Sequence, residues 1–297
     1  MITVLGATGN TGGRIVERLR AAGEPVRAVG RDAGRLARAA GLGAQPHVGD
    51  AGDPAFLRRA FENADAAYVL MPMDVMTSGY AAQQATVGES ITEALRSSGV
   101  PYVVALSSLG AEVPGGPNLD ATGFMGTLHE QEQRLATLDT NLVLLRPGLF
   151  LESFLHGVDA MRAHGTHADS IDPDVALPMV ATRDVGDVAA DLLRRRSWSG
   201  TVVREVLGAA DLTVGEAVAV LGPALGMPGL SYVRIPDDEM EALLRGAGMP
   251  DDAARLHVAM NRAFNDGTVA SLAGRGPGNT TPTTVEEWAR TLSGALR

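Results

Sequence analysis

The order of apolar runs and helical repeats predicts an α/β protein on a parallel, doubly wound sheet, with a smaller C-terminal α/β lobe. Three observations carry the prediction. Strand-like and helix-like segments alternate through the first half of the 297 residues, which is the pattern of right-handed β-α-β crossovers. The first strand runs directly into a glycine-rich turn and a helix. From about residue 151 the alternation gives way to short helices and loops rich in His, Asp, Gly and Pro. With 45% hydrophobic and 20% charged residues, the chain can bury a core for one large domain or two closely fused ones.

The elements follow in order. Ile2 to Leu5 is a short apolar strand, and Gly6, Gly9 and Gly12 punctuate the turn after it. The next helix has the apolar face Ile15, Val16, Leu19 and Ala22, and it closes on Gly23. Further strand-like runs cover residues 25 to 29, 66 to 71, 102 to 107 and 142 to 146, with a third strand ahead of HVGDAGD. Between them PAFLRRAFENAD reads as a helix started by Asp53 and Pro54, and YAAQQATVGESITEALRSSG as one ended by Gly99. Another spans roughly 124 to 138. DVGDVAADLL is a helix whose basic last turn is Arg194 to Arg196, and VVREVLG at 202 to 208 is strand-like. Thr213 with Glu216 and Thr284 with Glu287 are capping boxes. GRGPGNTTPT, 274 to 283, is a loop between two helices. The expected division is a first domain over 1–153, joined by strand and helix contributions from about 178–208, and a smaller lobe over 154–297.

Composition excludes several functions. The formal charge of −10 argues against a nucleic-acid partner. No apolar run approaches the ~18 residues of a membrane span, and residues 2 to 5 begin a strand rather than a signal peptide, so a cytoplasmic location is expected. Without cysteine there are no disulfides, thiolate metal sites or cysteine nucleophiles. All 25 basic residues are arginine, which excludes Schiff-base catalysis and any lysine-assisted tyrosine. His156, His164 and His167 share a stretch with Asp159, Asp169, Asp172 and Asp174, but their spacing matches no compact ligand pattern, and no metal is expected. Asp237 to Glu239 and Asp251 with Asp252 precede helical runs and read as caps and dipole partners. Homo-oligomerisation through exposed helices stays open.

The strand, glycine turn and helix at the N-terminus form a dinucleotide-binding fingerprint of the Rossmann type. Glycine is needed where the turn enters positive φ, where backbone approaches a pyrophosphate, and where helix packs hard on strand. Unpaired amides at the helix N-terminus then hold the phosphates without a lysine. Gly6, Thr8, Gly9, Asn10, Thr11 and Gly12 are accordingly the candidate cofactor contacts. The tip of the second strand, ~20 residues further on, meets the adenosine ribose, where an acidic residue selects NAD. Here the tip carries Arg31 and Asp32, with Arg35 one turn later, and two guanidinium groups can clamp a 2′-phosphate. NADP(H) is therefore the expected cofactor. In the competing reading both arginines are solvated and Asp32 caps the next helix or takes the ribose hydroxyls. Asp50 can close over the adenine or serve as a turn residue.

The GATGNTGG turn, VRAVGRD, HVGDAGDPAFLRRAFENADAAYVLMP, LLRPGLFLESF, ATRDVGDVAADLL and RGPGNTTPTTVEEWA together resemble the NmrA-like atypical short-chain dehydrogenases/reductases. The similarity is greatest to the azoreductase-like or NAD(P)H quinone reductase-like branch and runs nearly end to end. The resemblance implies an NADP-binding Rossmann domain with a small substrate lobe; members reduce quinones, azo dyes and triphenylmethane dyes, tailor biosynthetic products, or sense nucleotides without turnover. Short-chain reductases generally carry a Ser, a Tyr and a Lys four residues after the Tyr. Overlaid on FMGTLHEQE, the Tyr position holds Phe124, the Lys position Leu128 and a trailing glutamate position Glu132. The proton-donating pair is missing; a slipped overlay brings His129 and Gln133 to similar space, still without lysine. The motif serine corresponds to Ser107 or Ser108, which can equally satisfy backbone groups at the strand end.

Hydride transfer needs only the nicotinamide and an acceptor held close to it in a dry pocket. A reductase lacking the tyrosine suits acceptors with stable reduced anions, such as quinones, enones, azo or iminium groups. Ser108 and His129 are the candidate proton donors, although a single histidine on a polar helix also reads as a surface residue. Met71, Pro72, Ser107 and Pro147 are placed on the cofactor side, and Met73, Phe124, Phe150 and Phe154 on the substrate side, positions that suit a plain core as well. The leading expectation is an NADPH-dependent reductase of a conjugated or aromatic small molecule. The arginine-only, alanine-rich and glycine-rich composition points to secondary metabolism. A silent NADP(H)-sensing regulator and a non-redox isomerase, dehydratase or cyclase are the alternatives.

Overall fold

The computed structural model describes residues 1–116 and 119–295. Its first half is β1 (Ile2–Leu5), α1 (Asn10–Ala21), β2 (Val26–Gly30), α2 (Ala33–Gly41), β3 (Gln45–Val48), α3 (Pro54–Phe61), β4 (Ala66–Val69), α4 (Tyr80–Ser98), β5 (Tyr102–Leu106), α5 (Met125–Leu135) and β6 (Asn141–Pro147). There follow β7 (Leu149–Phe150), a 3-10 segment, α6 (Val158–His164), β8 (Thr166–Asp169), β9 (Ala176–Val180), α7 (Thr182–Arg195) and β10 (Thr201–Val206). The chain continues through β11 (Asp211–Thr213), α8 (Val214–Ala224), β12 (Ser231–Arg234), α9 (Asp237–Gly246), α10 (Asp251–Asn265) and α11 (Val285–Ala295).

Seven strands form one parallel sheet in the order β10-β6-β5-β4-β1-β2-β3. The winding reverses between β1 and β4, which opens a crevice at the carboxyl ends of those strands. Strands β1, β4 and most of β5 and β6 are buried on both faces, the burial a parallel sheet covered by helices requires. One face packs Ile15, Val16, Leu19, Leu36, Val185, Ala189 and Leu193 of α1, α2 and α7. The other packs Leu57, Ala60, Ile91, Ala94, Leu95 and Leu135 of α3, α4 and α5.

The second lobe is built on two small sheets, β11-β9-β7 and β12-β8, around a core that includes Leu151, Met179, Val218, Leu221 and Trp288. Strands of two to five residues leave too little periodicity to be read in advance. The VVREVLG segment supplies β10, which lies beside β6 at the edge of the main sheet and leaves Val202 and Val203 exposed. Both capping boxes form, with Glu216 and Glu287 reaching back to the amides of Thr213 and Thr284. The strand expected over 66–71 ends at Val69, and residues 70–79 leave the sheet as an irregular segment. β3 has no apolar alternation, and Pro46 is tolerated there because the strand is an edge paired only with β2.

Carboxylates distant in sequence close the lobes together. Asp252 accepts from the amides of Gly79 and Tyr80 at 2.9 Å each and so caps α4 from the start of α10. Glu152 caps α7 through the Thr182 amide and also takes the Trp288 indole N–H. Asp184 accepts from the amide and hydroxyl of Thr283, which fastens the closing segment to α7.

Candidate functional site

The turn after β1 gives each glycine a separate task. Gly6 has φ +69°, open to a residue without a side chain. A Cβ at Gly12 would lie 2.2 Å from the Gly6 carbonyl oxygen, so α1 rests directly on the turn. Gly9 is extended and exposed, with its nearest protein atom 3.4 Å from where a Cβ would stand, so the backbone there is open to solvent. No side chain caps α1 and its first turn holds no carboxylate, so its free amides and positive dipole end face an anion without competition. These features fit a dinucleotide pyrophosphate. Thr8 and Asn10 stand at the rim. Thr11 is buried and its hydroxyl accepts from Tyr68 at 3.1 Å, which ties α1 to β4; burial pushes the Tyr68 phenol up from its ordinary range.

Arg31 and Arg35 are both exposed at the tip of β2. The Arg35 guanidinium donates to the Thr8 carbonyl at 3.1 Å, which holds it against the glycine turn. Thr8, Gly9, Gly13, Arg35 and Arg38 line one cleft. Asp32 caps α2, accepting from the Arg35 amide at 3.0 Å. Asp50 accepts from the Gly52 amide at 2.7 Å in a local turn, and Asp53 caps α3.

At the crevice, the carboxyl ends of β5 and β6 hold a buried ionic network. The Ser107 hydroxyl donates to Glu132 Oε1 at 2.6 Å. The Arg146 guanidinium embraces the same carboxylate, with Nε at 2.9 Å from Oε1 and Nη2 at 2.6 Å from Oε2, and gives Nη1 to Glu112 at 3.0 Å. Hydrogen bonding to Glu132 outweighs desolvation and raises the Arg146 pKa further. The motif serine is therefore committed to the protein. Ser108 is half-buried, and its carbonyl accepts from the Ala111 amide. His129, one turn before Glu132 on α5, is half-buried and bonds the Ala111 carbonyl through Nδ1 at 2.8 Å.

The remaining sequence candidates fall in different surroundings. Met71 is buried beneath α4, the Pro72 carbonyl accepts from Gln84 at 2.8 Å, and Met73 is 62% exposed. Pro147 is buried and its carbonyl holds the Leu109 amide at 3.0 Å. A Cβ at the following Gly148 would meet the Pro178 carbonyl at 2.1 Å. Phe150 packs half-buried against the first-lobe core, and Phe154 is buried in the second-lobe core, its ring 5.3 Å from His167. Phe124 is buried edge-to-face on Tyr80 at 4.8 Å and on His257 at 6.4 Å. Arg146, Glu112, Asp252 and His257 were invisible as partners in the sequence, because each bond spans 14 to 173 positions with no local pattern. Among the described residues no group of three or more His, Asp or Glu can hold a metal ion, and no helix is long and apolar enough to cross a membrane.

Fold, switch point and glycine cradle define a Rossmann-type dinucleotide-binding protein. The chain belongs to the NAD(P)H-binding family, whose model matches residues 6–196. It is 30% identical over 93% of its length, and 93% of the relative's, to the (4-alkanoyl-5-oxo-2,5-dihydrofuran-3-yl)methyl phosphate reductase of Streptomyces griseus. It is 26% identical to the NAD(P)H azoreductase of Xenophilus azovorans over 89% of this chain and 86% of that one. Its fold matches the NADPH-dependent quinone oxidoreductase of Escherichia coli, solved with NADPH, at a TM-score of 0.77 and 22% identity, over 98% of this chain and 99% of the other. The expectation of a nicotinamide dinucleotide as cofactor holds, since the family is an NAD(P)H-binding one.

Proposed function

We propose that this protein is an NADPH-dependent reductase of a conjugated small molecule, a quinone, enone, azo or iminium acceptor. The observation that carries the reading is the glycine turn at the N-terminus of α1, free of side-chain caps and carboxylates; the family resemblance adds that Phe124 and Leu128 align with the tyrosine and lysine of short-chain reductases. The chemistry that a bound reduced nicotinamide supplies is delivery of a hydride. Gly6, Gly9, Gly12 and the amides opening α1 hold the pyrophosphate, and Arg31 with Arg35 takes the 2′-phosphate. Without a tyrosine to protonate an alkoxide, simple ketones are poor acceptors, whereas a conjugated acceptor spreads the incoming charge over its own π-system. Two relatives support this class. One is named for azo reduction, and the other for reduction of a 5-oxo-2,5-dihydrofuran, a ring whose double bond is conjugated to a carbonyl. Product protonation falls to water, Ser108 or His129, since the Ser107 hydroxyl is occupied.

The test is calorimetric titration with NADPH and NADH, followed in the same sample by a panel of quinones, azo dyes and enones monitored at the reduced-nicotinamide absorbance. Tight NADPH binding with oxidation by one panel class is the expected result. Tight binding without oxidation overturns the reductase reading and favours a nucleotide sensor or a non-redox enzyme.

A further inference from the structure

We propose that His257 and Asn261, one turn apart on α10, form the polar end of the acceptor subsite and hold a carbonyl or hydroxyl oxygen. The proposal rests on the reductase reading and narrows it from conjugated acceptors in general to quinones and enones.

Helix α10 roofs the segment that leads into α5. A Cβ at Gly123 would lie 2.1 Å from the Leu256 carbonyl oxygen and 2.7 Å from the Met260 amide, so the two backbones touch there. The next residue on each side is Phe124 and His257, whose rings meet edge to face. Phe124 occupies the position that the family resemblance aligns with the missing tyrosine. The imidazole standing next to that position is therefore His257, contributed by the second lobe, and His129 is held elsewhere by Ala111.

The two polar groups are unspent. His257 Nε2 and Asn261 Oδ1 are sealed from solvent and have no hydrogen-bond partner. Asn261 is only 1% exposed. Its amide is oriented by its other end, where Nδ2 donates to Asp169 at 2.6 Å and to Ser170 Oγ at 3.0 Å, so Oδ1 is necessarily the free atom. Interior polar atoms almost always find partners, because each gives up its water on folding. Two such atoms at i and i+4 share one face of the helix. Burial pulls the His257 pKa below the ordinary histidine range despite the nearby Asp169 carboxylate, so the ring is neutral and offers one N–H. In the tautomer with its proton on Nε2 the ring donates to a carbonyl oxygen, in the other tautomer Nε2 accepts from a hydroxyl, and Asn261 Oδ1 accepts from a hydroxyl, a set matched to quinone and hydroquinone oxygens.

The walls suit a flat guest. Met260 lies on the same helix between His257 and Asn261 and touches two apolar clusters, one with Tyr80 and Phe124, the other with Leu109 and Met125. Leu109 directly follows the serines at the end of β5, so the second cluster borders the crevice. Unbranched methionine side chains move aside for a ring at low cost.

The probe is menadione, a quinone, titrated into NADP+-loaded protein while histidine side-chain nitrogens are followed by NMR. Malachite green, a triarylmethyl cation without oxygen, is the control. We expect menadione to shift the His257 Nε2 resonance. His257→Phe should weaken menadione by about tenfold, the worth of one buried hydrogen bond, while malachite green stays within about twofold. His257→Gln, which keeps a donor, should recover most of the loss, and its unfolding midpoint checks that folding is intact. Menadione binding with the His257 resonance unmoved, equal weakening of both probes, or no saturable menadione binding would each overturn the proposal. NADPH oxidation by the acceptor panel is scored separately: turnover with a silent His257 sinks this inference alone, and absence of turnover sinks the reductase reading.

Discussion

Replacing Arg146 with methionine tests the ionic network at the carboxyl ends of β5 and β6. Its guanidinium and the Glu132 carboxylate are 9% and 6% exposed and meet at 2.6 Å. The substitution keeps the aliphatic stem but leaves Glu132 with the Ser107 hydroxyl as its remaining donor. Removing one partner of a buried pair costs about 3–5 kcal/mol, because the other charge stays desolvated. At ~2.1 cal/mol/K of unfolding entropy per residue, a chain of this length has ~0.6 kcal/mol/K, so the midpoint should fall by roughly 5–8 °C. Differential scanning calorimetry at pH 7.5 reads this shift. The double variant Arg146→Met with Glu132→Gln should regain more than half of the loss, since the more deeply buried charge is then gone and only the Glu112 carboxylate, 18% exposed, has lost its cation. An unchanged midpoint for Arg146→Met, or a double variant no better than the single, refutes the reasoning.

The glycine cradle separates folding from binding: Gly12→Ala should lose stability because its Cβ meets the Gly6 carbonyl, whereas Gly9→Val should melt near wild type yet fail to bind NADPH by calorimetry. Arg31→Ala or Arg35→Ala should raise the NADPH Kd by roughly 10-fold or more and change NADH by less than about threefold, and equal losses would refute the 2′-phosphate assignment. Burial lowers the pKa values of His47, His167 and His257 from their ordinary 6.5. Below that value the unfolded chain takes up protons that the folded chain does not, so stability should be full above pH 6.5 and decline on acidification. His257→Phe should flatten that decline between pH 7 and 5 in urea titrations. Asp252→Ala should cost about 1 kcal/mol through the lost cap on α4 and raise hydrogen exchange at Gly79 and Tyr80.

Sequence alone determined the parallel α/β architecture and the strand, turn and helix that open it, because these are written in local signals. The strand, glycine turn and helix of residues 2–21 need only neighbours a few positions apart, and the capping boxes at Thr213 and Thr284 are three-residue contacts. The absence of lysine was equally legible, as composition. The short strands of the second lobe were not, since two to five residues carry no period. Neither was the placement of β10 at the edge of the main sheet, where pairing with β6 decides it. Tertiary structure decided which polar residues meet: Ser107 with Glu132 and Arg146, Asp252 with α4, and His257 with Phe124. Those contacts join residues up to 173 positions apart, and their energy comes from shared burial, a property of the packed molecule that no stretch of sequence possesses by itself.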